Sequence, residues 1–118
     1  MYDIKFSPAA EKYFKKLKEK PLKSAYNKAL KEISENPYIG EQKKGDLSEM
    51  YGYDVKYNGI NYEIAYTIHE INNKKVVIIL VGTRENFYDE LKRYIKNRTW
   101  KIDHFREMTK MVNFRFDA

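Results

Sequence analysis

Between Tyr51 and Ile68 the chain alternates between two sets of positions, and the interruption is Asn58-Gly59. An Asn-Gly pair between alternating runs is the strongest short hairpin signal, because a type I′ turn needs positive φ at both central residues. A two-residue loop also fixes the register. Tyr57 then faces Ile60, Lys56 faces Asn61, Val55 faces Tyr62 and Asp54 faces Glu63. Period two sends the tyrosines and isoleucines to one side, under helices, and leaves Asp54, Lys56, Asn61 and Glu63 on an open face. Carboxylates directly opposite one another are unfavourable unless a cation sits between them. Arg84 is the first candidate for that cation and Lys56 the next. Such a pair is either a charged site, with one carboxylate shifted far enough for acid–base work, or a solvated ion-pair cluster. The residues alone favour the cluster.

The remaining elements follow from spacing. Tyr2 to Phe6 reads as a short strand, and Ser7-Pro8 as an N-cap with proline at the first helical position. Ala10, Tyr13, Phe14 and Leu17 form one apolar stripe, and Leu22, Ala25, Tyr26, Ala29, Leu30 and Ile33 form a second. Pro21 separates the two helices, and Asn36-Pro37 ends the second. Residues 38–50 form a polar loop containing Lys43 and Lys44. Val76 to Val81 lacks alternation and is rich in β-branched residues, which predicts a strand buried on both faces between two others. A helix over about 86–97 would bury Phe87, Leu91, Tyr94 and Ile95, and Ile102, Phe105, Met108 and Val112 permit one more beyond it. The prediction is an α+β domain with its helices mainly on one face of the sheet.

A length of 118 residues suits one domain. The absence of cysteine removes disulfides, thiolate metal sites and a cysteine nucleophile. With two histidines, His69 and His104, and no second ligand spaced to either, no metal or other cofactor is expected. The net charge of +6 calls for an anionic partner. The longest apolar run, Val76 to Val81, is far short of the roughly 20 residues of a membrane span. The N-terminus carries no apolar signal core, so the expectation is a cytoplasmic protein without membrane attachment.

Several motifs, taken in order, resemble the RelE/ParE superfamily of bacterial type II toxins. They are Phe6-Ser7-Pro8-Ala9-Ala10 with Phe14-Lys15-Lys16-Leu17, Asn36-Pro37, Gly45-Asp46-Leu47 and Tyr62-Glu63-Ile64-Ala65-Tyr66. The most specific is Val77-Ile78-Ile79-Leu80-Val81-Gly82-Thr83-Arg84-Glu85, followed by Asn86-Phe87-Tyr88. The resemblance covers residues 2 to about 97, so 1–97 reads as the toxin domain and 98–118 as an extension packed on it. It implies an N-terminal strand and a helical hairpin packed on a curved antiparallel sheet, with a C-terminal helix. It also implies a cognate acidic antitoxin, with the toxin monomeric alone and hetero-oligomeric in that complex.

The superfamily has two branches on one fold, so fold alone does not choose between them. RelE-like members cleave messenger RNA, usually in the ribosomal A site and without metal; ParE-like members poison DNA gyrase. In the nuclease branch a 2′-hydroxyl attacks the adjacent phosphate, which needs a base and cations. The resemblance then assigns Arg84 to the phosphoryl oxygens and Tyr88 to base stacking or proton transfer. Lys43, Lys44 and Lys56 fall where such members carry RNA-binding basic residues. Glu63 departs from the pattern, standing where nuclease members have arginine; it would either weaken RNA affinity or serve as the base. The sequence reading is a ribosome-associated, metal-independent endoribonuclease. A gyrase inhibitor and an inactive member serving as a basic binding module are the alternatives.

Overall fold

The computed structural model describes residues 1–71 and 73–96. Its elements are β1 (Asp3–Phe6), α1 (Pro8–Lys16), α2 (Lys20–Glu35), β2 (Glu41–Gln42), β3 (Tyr51–Tyr57), β4 (Ile60–His69), β5 (Lys75–Thr83) and α3 (Phe87–Lys96). Short 3-10 turns at Pro37–Ile39 and Gly45–Leu47 flank β2. The strands form one sheet in the order β1-β5-β4-β3-β2.

The hairpin has the expected register, with Tyr57 on Ile60, Lys56 on Asn61, Val55 on Tyr62 and Asp54 on Glu63. Its turn places Asn58 at φ 53° and Gly59 at φ 76°, the two positive values that a type I′ turn demands. β5 lies between β4 and β1, and Val76 to Ile79 are accordingly buried. Three antiparallel strands make the centre, and β1 adds to the edge in parallel, pairing Asp3 with Lys75 through Phe6 with Ile78. The sheet is therefore mixed at that edge.

The two apolar stripes of α1 and α2 pack onto one face. Leu22, Tyr26, Leu30 and Ile33 meet Val55, Tyr62, Ile64, Tyr66, Val76, Ile78 and Val81. Pro21 sits in the first turn of α2, where its missing N–H costs nothing, and the break between the helices precedes it. Ser7 anchors the start of α1 to the sheet. It is fully buried, its hydroxyl accepts from Ala10 N at 3.1 Å, and it donates to the Ile79 carbonyl at 2.6 Å. Ser7→Ala removes an N-cap and leaves a buried carbonyl short of a donor. It is expected to cost about 2 kcal/mol, read as a lower urea midpoint at unchanged m-value.

The opposite face is not open along its length. Leu47 and Met50 from the loop and Phe87 and Leu91 from α3 cover Ala65, Val77 and Ile79 in a second core. A bulge between Ala65 and Tyr66 interrupts the β4–β5 register at Ile79, and Ile79 and Leu80 both join that second core. Among the described residues no helix is long and apolar enough to cross a membrane. The expected tail helix, with Trp100, His104 and residues 98–118 as a whole, lies outside the described residues.

Candidate functional site

Asp54 and Glu63 are direct neighbours across β3 and β4, as the hairpin register requires. The second core then treats them differently. Asp54 stays half exposed at the rim, whereas Glu63 lies beside the second core and is 1% exposed. The pair is thus not a solvated cluster.

Arg84 follows the last residue of β5, its backbone N–H donating to the Asn61 carbonyl at 2.9 Å. Its Nη1 stands 3.6 Å from Asp54 Oδ2, with both side chains about half exposed. Arg84 therefore serves the outer carboxylate alone. The cation beside Glu63 is Lys43, and neither Arg84 nor Lys56 takes that place.

Lys43 arrives from the far edge. Just beyond β2 its backbone N–H donates to the Met50 carbonyl at 2.9 Å, which ties down the start of the loop. The side chain crosses β3 above Gly52, so closely that a Cβ on Gly52 would fall 2.7 Å from Lys43 Cε and 2.8 Å from Glu63 Oε2. The ammonium ends 3.2 Å from Glu41 Oε1 and 4.8 Å from the centre of the Tyr88 ring. Tyr88 is in place because Asn86, at φ 58°, turns the chain from β5 into α3, so that Phe87 enters the second core with Tyr88 beside it.

These neighbours set the ionisation of the group. Burial raises the Glu63 carboxyl, the Asp54 carboxylate beside it raises it further, and Lys43 and Tyr88 offset part of this; the outcome is about 7. Among the described residues, Glu63 Oε1 and the buried Tyr88 hydroxyl have no hydrogen-bond partner. Burial also pushes the Tyr88 phenol up, with Lys43 pulling it down and the charge of Glu63 adding to the rise. For Lys43, burial acts downward, yet Tyr88, Glu41 and Glu63 together outweigh it and the ammonium is held above its ordinary value.

Of the residues singled out from sequence, the fold brings Lys43, Glu63 and Tyr88 into one cluster, with Arg84 and Asp54 at its rim. Lys44 and Lys56 are exposed. Among the described residues no group of three or more acidic or histidine side chains could hold a metal ion. Sequence reasoning missed Gly52, whose signal was a glycine inside a strand, a mark of close approach by another group. Chemically the site offers a buried acid that exchanges its proton near neutrality, a phenol, and two cations each matched to a carboxylate.

No curated protein and no solved structure gives a significant match to the chain. A family model does match, over residues 4–92, and these include every residue of the cluster and all five strands but the first residue of β1. That model describes the ParE-like toxin of type II bacterial toxin–antitoxin systems, and the chain belongs to this family.

Proposed function

We propose that this toxin acts by binding DNA gyrase, as the ParE-like branch does, and not by cutting RNA. The observation that carries the reading is the pairing of Asp54 and Glu63 on the sheet face where a nuclease needs positive charge. Arg84 faces one of these carboxylates at 3.6 Å, so its charge is already matched when a phosphate approaches. Glu63, the acid with the most useful proton, is shut away at 1% exposure beneath Lys43 and cannot reach a 2′-hydroxyl without displacing it. Membership of a type II family implies an antitoxin partner, and the lysines exposed along α1 and α2 suit an acidic one.

One observation favours the nuclease reading instead. A carboxyl titrating at about 7 beside a buried phenol and an ammonium is the kind of group that general acid–base catalysis employs. Two assays on the same purified protein separate the readings. Inhibition of gyrase supercoiling, with no cuts found by primer extension on translated messages, is the expected result. Site-specific cuts with supercoiling unaffected would overturn it.

A further inference from the structure

Gly52 is not a glycine for conformational reasons. It lies inside β3 and is not among the positive-φ glycines, which are Gly45 and Gly59. A glycine in a strand interior weakens the strand, so its presence there points to a demand for space. The occupants of that space are clear. A Cβ would lie 2.7 Å from Lys43 Cε, 3.1 Å from Lys43 Nζ and 2.8 Å from Glu63 Oε2.

We infer that Gly52 is the positioning residue of the site: its missing side chain opens the passage by which Lys43 crosses β3 to Glu63 and the Tyr88 ring, and a methyl group there unseats the lysine. The two neighbours differ in how they can yield. Glu63 is buried, whereas Lys43 offers the free end of a flexible chain with a way out to solvent. Lys43 therefore leaves, Glu63 Oε2 moves by a few tenths of an ångström into the space vacated, and the loop's own backbone tie, Lys43 N to Met50 O, need not break.

Losing the ammonium changes the field at Glu63. The titratable groups that act on it besides Lys43 are Asp54, opposite on β3, and Tyr88 on α3. Arg84 is engaged with Asp54, so among the described residues no other cation stands over Gly52. Glu63 then keeps its proton to higher pH. The inference is independent of the toxin's target, since it concerns how the cluster is assembled.

The test compares Gly52→Ala, Lys43→Met and the double variant of the full-length chain. The Glu63 side-chain carboxyl and the Tyr88 ring are followed by NMR through a pH titration. Each single variant is expected to raise the Glu63 midpoint by roughly 0.5–1 pH unit, and the double variant no further than Lys43→Met alone. Three results would overturn the inference. The first is a Gly52→Ala or Lys43→Met midpoint equal to wild type. The second is a double variant whose shift equals the sum of the singles. The third is a Gly52→Ala chain that fails to fold, because something stiffer than a lysine then fills the space.

Discussion

Between pH 4.5 and 7 the wild-type protein is expected to lose on the order of 2–3 kcal/mol of stability relative to Glu63→Gln. The folded state holds the Glu63 proton up to about 7, while the unfolded chain releases it near the ordinary 4.5. Within that window the native state binds more protons than the unfolded state, so rising pH favours unfolding. Below the window the penalty is absent, and above it the penalty is constant. Glutamine keeps the shape and takes no part in the titration. Urea midpoints of the two proteins on either side of the window make the measurement, and parallel pH profiles would show that Glu63 ionises as an ordinary surface carboxylate. Stability alone does not favour an acid in this position.

Gly40→Ala is expected to be the more damaging glycine substitution, costing about 2–4 kcal/mol and lowering Tm by roughly 10 °C or more. Gly40 N donates to the Tyr66 hydroxyl at 3.1 Å, and that hydroxyl donates to the Pro37 carbonyl at 2.7 Å. A Cβ on Gly40 would collide with the same hydroxyl and lie 2.8 Å from the Gly52 carbonyl oxygen. Neither neighbour can yield cheaply. Tyr66 is fully buried and stacked on Tyr51 at 5.8 Å, and the other obstacle is strand backbone. In a Tyr66→Phe background, where the obstructing hydroxyl is gone, Gly40→Ala should cost less. Equal costs in both backgrounds, read by thermal unfolding, would place the strain elsewhere.

The hairpin was legible down to individual pairs, because alternation and Asn58-Gly59 leave one register that keeps the tyrosines on a common face. The burial of Val76 to Ile79 was legible for a similar reason, an unbroken β-branched run. The fate of Glu63 was not. It shares a sheet face with Ala65, and that face is covered by Phe87, Leu91, Leu47 and Met50, which are apolar in the sequence but carry no sign of which face they reach. For Phe87 and Leu91 that choice is made at Asn86, where one positive φ redirects the chain. Without the cover, Asp54 and Glu63 look equivalent, and Arg84 looks like the natural cation for both. Lys43 escaped pairing with Glu63 because nothing in a polar loop announces that a lysine will cross a strand. The glycine beneath it held that information. Likewise, Tyr2 to Phe6 could be read as a strand but not as the parallel neighbour of β5, since alternation defines a strand's faces and not its partner.

The parallel pairing of β1 with β5 also sets a timetable for synthesis. The chain's third to sixth residues must wait for residues 75–78, which leave the ribosome roughly 4–14 seconds later at ordinary elongation rates. The helices over β5 lack their floor for the same interval, and Glu63 lacks its phenol neighbour until Tyr88 follows. A nascent chain therefore carries neither the finished sheet nor the finished cluster until almost all of the family domain has been made. The first strand of the sheet is thus among the last to be docked, after the β3–β4 hairpin and β5 have been made.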